Sequence, residues 1–314
     1  MTEFAATFER MSENIERVLL GKRSVIRLAL TCLISDGHLL LEDLPGTGKT
    51  MLARAMANTV EGSHARIQFT PDLLPSDVTG VTVYDQAKGT FEFHPGPVFH
   101  HLVLADEINR ASPKTQAALL EVMEEGHVTV DGVTHRVESP FMVVATQNPV
   151  EQAGTYKLPE AQLDRFLMKT AVGHANAEAT EELLLNSGIR DRASMASPVA
   201  TLSDIMRMRE EAGRVEVDPV IARYVRQLAE VSREMSDLKL GLSARGCLAL
   251  VRVAKTWAAA AGRSYVVPDD VQTLAHPVLC HRLLLGGQAQ FDGVSIDEVI
   301  LRLLESVEPP ALRA

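Results

Sequence analysis

Apolar positions in the first 35 residues recur at helical spacing. Val25, Leu28, Ala29, Cys32 and Leu33 fall on one face, and the turn LLGKR divides two helices within residues 6–35. HLLLE (38–42) is a short apolar run that reads as a strand, followed by the turn LPGTG and a helix from about Lys49 to Thr59. ARIQF (65–69), LVLADE (102–107) and FMVVATQNP (141–149) read as three further strands. Between them, residues 76–97 mix Gly, Pro and alternating apolar positions, the pattern of a hairpin-like insertion. SPKTQAALLEVMEEG (112–126) predicts a helix with Ser112 as N-cap, Pro113 at the first helical position and Gly126 as its stop. HVTVDGVTHRVE (127–138) alternates about Asp131-Gly132, a two-residue hairpin signal.

Strands alternating with helices argue for a parallel α/β sheet. After about residue 172 the strand signals nearly vanish. A loose stretch, NSGIRDRASMASPVAT, leads into residues 203–314, which read as four or five helices, among them 219–235, 244–261, 268–282 and 296–307. The boundary falls near 185–200, so the expected organisation is an α/β core over 1–190 and a helical domain over 200–314.

Composition narrows the class. Apolar residues make up 46% and charged residues 23%, the balance of an ordinary globular chain. No apolar window reaches the ~18 residues of a membrane span, and the acidic, polar start MTEFAATFERMSENIERV does not resemble a signal peptide. The cytoplasm is the expected location. Lys plus Arg is 31 against 41 for Asp plus Glu, a net charge of -10, which argues against nucleic acid as the main partner. Cys32, Cys247 and Cys280 are odd in number and far apart, so they read as reduced thiols rather than a disulfide framework or zinc site.

The candidate chemistry starts at LEDLPGTGKT (41–50), which lies between an apolar strand and a helix, the setting a P-loop needs. Gly46 and Gly48 let the backbone wrap closely and aim N–H groups at phosphate oxygens, and the helix N-terminus adds partial positive charge. Lys49 is expected to reach the β- and γ-phosphates of ATP and the Thr50 hydroxyl to ligate Mg2+. Pro45, Thr47 and Met51 belong to the same nucleotide-binding stretch. Asp43 occupies the first glycine position of the consensus, where an unusual backbone angle is expected and Asp tolerates left-handed geometry better than most residues.

The strand LVLADE ends in two acids. Asp106 is expected beside the nucleotide and Mg2+, and Glu107 to polarise the attacking water as general base. Strands often end in acids, so this weight comes from the P-loop upstream. Asn148, at the end of the next strand, can hydrogen-bond the water or the γ-phosphate; by itself, Asn-Pro equally reads as a turn. Several strand ends converging on one crevice favour the functional reading. Arg165 in LPEAQLDRFLMK and Arg245 in GLSARGCLAL each read alone as surface ion pairs, yet arginine is the residue suited to a transferring phosphoryl group.

The phrases HLLLEDLPGTGKT, RIQFTPDLLPSDVTG, FHPGPVFHHLVLADEINRASPKTQAALLEVMEEG, VVATQNPVEQAGTYKLPEAQLDRFLMK and VVPDDVQTLAHPVLCHRL together resemble the MoxR family of AAA+ ATPases, helix-2-insert group, from about residue 18 to 285. The resemblance implies an AAA+ P-loop core with a C-terminal all-α lid. It implies Walker A at 43–50, Walker B at 102–107, sensor 1 at Asn148, an arginine finger at Arg165 pointing into a neighbour's site, and sensor 2 at Arg245. Leu20 and Gly21 fall where relatives line the adenine pocket, residues 76–97 match the insertion, and 127–138 match the hairpin before sensor 1. Asp43 in place of Gly, and Ala244 where many relatives have Pro, depart from the pattern. The family further implies ring oligomers, usually hexamers, and a chaperone-like role beside proteins with a von Willebrand factor A-type domain.

Other residues stay unpromoted. His94, His100 and His101 lack metal-ligand spacing. Met206, Met208 and Trp257 read as packing residues. Two functional classes lead: an ATP-driven remodeller of partner proteins, and a nucleotide-gated oligomeric switch with little turnover. A DNA motor or a metal-chelatase-type subunit would share the insertion, and the acidic charge argues against the first of these.

Overall fold

The computed structural model describes residues 2–311 apart from 44–45, 149–154, 187 and 189–190. The chain opens with α1 (Glu3–Glu16) and α2 (Arg23–Ile34), then β1 (Leu39–Glu42), α3 (Lys49–Thr59) and β2 (His64–Gln68). The insertion is a short helix, α4 (Pro75–Thr79), and a hairpin of β3 (Gly80–Asp85) and β4 (Thr90–Pro95). Next come β5 (Leu102–Asp106), α5 (Pro113–Glu125), a second hairpin of β6 (His127–Val130) and β7 (Val133–Arg136), and β8 (Met142–Gln147). α6 (Glu160–Leu163), β9 (Met168–Thr170) and α7 (Ala177–Leu185) complete the first half. The second half holds α8 (Leu202–Gly213), α9 (Pro219–Glu234), β10 (Leu238–Leu240), α10 (Ala244–Ala260), α11 (Pro268–Leu279), β11 (Leu284–Leu285), α12 (Gly287–Phe291) and α13 (Ile296–Glu305).

The central sheet has the order β2-β5-β8-β1-β9, and its pairs run parallel. Successive residues of each strand face opposite sides. Leu39 and Leu41, Leu102 and Leu104, and Met142 and Val144 point to the side of α1, α2 and α3. Leu40, Val103, Ala105, Val143 and Ala145 point to the side of α5. Burial on both faces explains why these strands read as near-continuous apolar runs. The register aligns Gln68 with Asp106 and Glu42 with Gln147, so the polar ends of four strands meet along one edge.

Two features were not legible beforehand. MKT (168–170) forms a fifth strand by pairing Met168 with Leu39, and three residues are too short for a periodicity to show. Leu238–Leu240 and Leu284–Leu285 form a small antiparallel pair within the helical half. That half also contains α8 to α13, more helices than the four or five expected.

The apolar cluster on the α1–α3 side continues without a break through Ile205 and Met208 of α8, Leu228 of α9, Leu250 of α10, Leu274 of α11 and Leu303 of α13. It crosses the boundary expected near 185–200. Trp257 packs partly buried against it, 5.1 Å under the Arg27 guanidinium, while Met206 is exposed. Arg282 ties the two halves: its Nε donates to Asp164 at 2.7 Å and its Nη2 to the Phe166 carbonyl at 2.8 Å.

The two hairpins lie together. Phe93 stacks on His135 with ring centres 3.9 Å apart and meets Phe99 edge-on at 5.6 Å. Asp131 and Gly132 have φ of 50° and 80°, as a two-residue turn of type I′ requires. Among the described residues no helix is long and apolar enough to cross a membrane.

Candidate functional site

The loop after β1 is built by two glycines with different constraints. Gly46 has φ +84° and open space around a would-be Cβ, so only the dihedral demands glycine. Gly48 has φ +99°, which disfavours any side chain, and a Cβ there would also come 2.7 Å from Leu19 Cδ1, so the leucine tip would have to shift. Gly48 is also the N-cap of α3, which has no side-chain cap and no acid in its first turn. The positive end of that helix therefore faces the cleft without an internal anion. Lys49 Nζ donates to the Asp43 carbonyl at 3.0 Å.

Asp43 stands at the start of the loop, in the first glycine position of the motif. It is not among the residues of positive φ, so its backbone is not left-handed and a side chain is tolerated there. Its carboxylate accepts the Gly173 N–H at 2.6 Å, joining the start of the loop to the turn after β9.

At the end of β5 the chain turns sharply. Glu107 has φ 57° and ψ 50°, a left-handed conformation rare for a residue with a side chain and of the kind that clusters at functional sites. Its N–H donates to Thr146 Oγ1 at 2.9 Å, and Thr146 in turn donates to Asp106 Oδ1 at 2.6 Å. One hydroxyl of β8 thus fixes both acids. Arg66 donates to Asp106 Oδ2 at 2.7 Å. Gln68 and Arg110 each donate to Glu107 Oε2 at 3.0 Å. Thr146, Arg66, Gln68 and Arg110 were not singled out from the sequence. For Thr146, Arg66 and Gln68 the signal that could have found them is strand register, which sets β2 and β8 against either side of β5, whereas Arg110 follows Glu107 by three residues in the turn after β5.

Gly46, Gly48, Lys49, Thr50, Met51, Asp106, Glu107, Thr146, Gln147 and Asn148 line one cleft of about 350 Å³. Asn148 is buried at its rim. Thr47 belongs to the same loop, and Pro45 lies outside the described residues. Thr50 and Asp106 offer the hard oxygen donors that a divalent cation takes alongside water and phosphate.

Arg165 and Arg245 do not line this cleft. They border a second groove of about 730 Å³ between α8 and α10 and the end of α2, with Asp164, Arg209, Arg252, Lys255 and Arg282. Glu124 joins them, accepting from Arg165 Nε at 2.6 Å and from Arg245 Nη2 at 3.4 Å. Leu20 and Gly21 are likewise absent from the cleft wall. Gly21 packs against Asn176 and Ala179 at the start of α7, and Leu19 is the residue that reaches Gly48. The sequence-expected residues therefore divide into one assembled cleft, a separate pair of arginines, and Leu20 and Gly21 outside both.

Comparison with known proteins agrees with this architecture. A family model described as ATPase family associated with various cellular activities (AAA) matches residues 38–168, and an AAA lid domain model matches 230–303. The chain is 45% identical to the uncharacterized YeaC of Bacillus subtilis, over 96% of this chain and 94% of that one. It is 40% identical to Chaperone MoxR1 of Mycobacterium tuberculosis, over 98% of this chain and 84% of the relative. It is 32% identical to Protein MoxR of Paracoccus denitrificans, over 91% of each. A Cytophaga hutchinsonii crystal structure assigned as an ATPase superposes with a TM-score of 0.91 at 36% identity, covering 98% of this chain and 96% of that one.

Proposed function

The chain belongs to the MoxR family of AAA+ ATPases and is an ATP-hydrolysing enzyme, and from that premise we propose that it spends ATP on remodelling partner proteins in a chaperone-like way. In this reading Lys49 and the N-terminus of α3 hold the phosphates of ATP, and Thr50 and Asp106 hold Mg2+. Glu107 takes the proton of the attacking water. Among the described residues both hydrogen bonds to its carboxylate fall on Oε2, which supports Oε1 as the oxygen for water. Asn148 positions that water at the cleft rim.

Arg165 and Arg245 act across an interface, on the ATP of the next subunit of a ring, proposed as a hexamer. Their separation from the chain's own cleft supports this role. Leu20 and Gly21 border the adenine. The family resemblance proposes, as partner, a protein with a von Willebrand factor A-type domain.

The observation that carries the remodelling reading is the apolar surface shared by the two hairpins. Phe91 is 74% exposed and Val133 57% exposed, and both line one pocket with Phe93, Val130 and His135. Exposed apolar patches of this kind mark sites that hold other chains. The relative named Chaperone MoxR1 agrees with a polypeptide client. The test uses a labelled, permanently unfolded polypeptide. The ATP-loaded Glu107→Gln variant is expected to bind it, and Phe91→Ser with Val133→Ser is expected to abolish binding while ATP affinity stays. No binding in any nucleotide state, with ATPase indifferent to the polypeptide, sinks the remodelling reading.

The switch reading has one observation in its favour: Glu107 is held by two donors, an arrangement suited to slow turnover. Tight ATP binding with negligible turnover at every protein concentration would favour it.

A further inference from the structure

We propose that Glu124 is a positioning residue that sets the Arg165 and Arg245 guanidinium groups side by side for the phosphates of the next subunit's ATP. This rests on the across-interface reading of the two arginines.

Glu124 sits in the last turn of α5, and that turn is pinned. Gly126 ends the helix with φ +66°, and the buried ring of His38 hydrogen-bonds the Met123 carbonyl at 3.0 Å through Nε2. The carboxylate thus projects from a fixed backbone. One oxygen takes Arg165 at Nε, 2.6 Å away, and the other takes Arg245 at Nη2, 3.4 Å away. Contact through Nε leaves both terminal nitrogens of Arg165 without another hydrogen bond among the described residues. Those two nitrogens form the fork that binds phosphate bidentately.

Arg245 is backed from a second side by Asp164, at 3.6 Å from its Nε. Asp164 in turn is held at 2.7 Å by Arg282, which is buried. A single carboxylate between two guanidinium groups also offsets their mutual repulsion. The arginine hydrogen bond, first among the causes, holds the Glu124 carboxyl below the ordinary range, so it stays ionised at neutral pH. Glu124 and Arg165 are only partly buried, and a surface pair of this kind contributes little to stability. A role in stability and a role in positioning therefore give different experimental outcomes. Asp164 is a poorer probe, because removing it would strand the buried Arg282 charge.

The experiment compares Glu124→Ala, Glu124→Gln and Arg165→Ala in the full-length protein by nucleotide titration, steady-state kinetics and mixed assembly. Both Glu124 variants are expected to keep the parent's ATP affinity and KM and to lose at least about tenfold in kcat, as misplaced catalytic groups do. Mixed with Glu107→Gln, Glu124→Ala is expected to recover part of the turnover, because one interface then has every part. Mixed with Arg165→Ala it is expected to recover none, because both lack the same side. If the Glu124 variants turn over like the parent while Arg165→Ala is impaired and complements Glu107→Gln, the positioning role is overturned and the across-interface reading survives. Loss of kcat in Glu124→Ala without recovery in a confirmed mixture with Glu107→Gln also overturns it. Full turnover by Arg165→Ala overturns the across-interface reading itself, and this proposal with it.

Discussion

The Gln68 side-chain amide reaches across from β2 and donates to Glu107 Oε2 at 3.0 Å. The neighbouring strand thereby aims the acid at the end of β5. Arg110 holds the same oxygen from the other side. Without Gln68 the carboxylate is expected to swing toward Arg110 and lose its alignment with the water. Gln68→Ala should bind ATP as the parent does and lose about tenfold in kcat, within the range a displaced general base costs. Steady-state kinetics check this, and an unchanged or faster kcat would mean that Gln68 does not aim the base.

Lys49 Nζ is held only 3.0 Å from the Asp43 carbonyl, at the mouth of a loop whose helix end has no anion of its own. ATP phosphates would offer this ammonium charged acceptors beside the neutral carbonyl of Asp43. Lys49→Ala is expected to lose about 2–3 kcal/mol of binding or more, the value of a charge-assisted hydrogen bond. Fluorescent-nucleotide titration measures it, and unchanged affinity would end the P-loop assignment.

Glu107→Gln keeps the size and the Oε2-side contacts of the residue while removing the basic oxygen. It is expected to bind ATP normally and hydrolyse it about 10²–10⁴ times more slowly. Single-turnover measurements at saturating ATP give the chemical step directly. A loss of less than about threefold would place the base elsewhere.

The parts of this site that were legible in the sequence are those whose signal is local. The glycines of the loop, the Ser112 cap, the Asp131-Gly132 turn and the acids closing an apolar strand each occupy a few consecutive residues. What stayed hidden depends on distant segments meeting. Thr146 matters because β8 lies beside β5, which brings its hydroxyl to Asp106 and the Glu107 N–H. Glu124 meets two arginines because α5 ends where Arg165 and Arg245 arrive from separate stretches. The left-handed backbone at Glu107 has no sequence signature, since the residue is neither Gly nor Asn.

Two buried histidines give the fold a defined acid limit. His38 Nδ1 accepts the Val143 N–H at 2.9 Å, so its proton is on Nε2, which faces the Met123 carbonyl. His281 Nε2 contacts the Phe166 carbonyl at 2.9 Å, and its Nδ1 is buried without a partner among the described residues. Burial, the largest cause in both, pushes the pKa of His38 down to about 4 and that of His281 down to about 3, from 6.5. The folded pKa lies below the unfolded one, so the unfolded chain takes up protons first. The contribution to stability is complete above about pH 6.5 and is lost as pH falls from there through the folded pKa values. At pH 5 each histidine accounts for a loss on the order of 2 kcal/mol relative to pH 7. The pair together would take a sizeable share of a typical 5–15 kcal/mol margin. Urea midpoints at pH 7 and pH 5 measure the slope, and the His38→Gln, His281→Gln double variant is the control because glutamine does not titrate. The double variant is expected to start less stable at pH 7, having lost the Val143 acceptor, and to decline less between the two pH values. An equal decline in parent and variant would show that the acid sensitivity between pH 7 and pH 5 does not come from these two histidines.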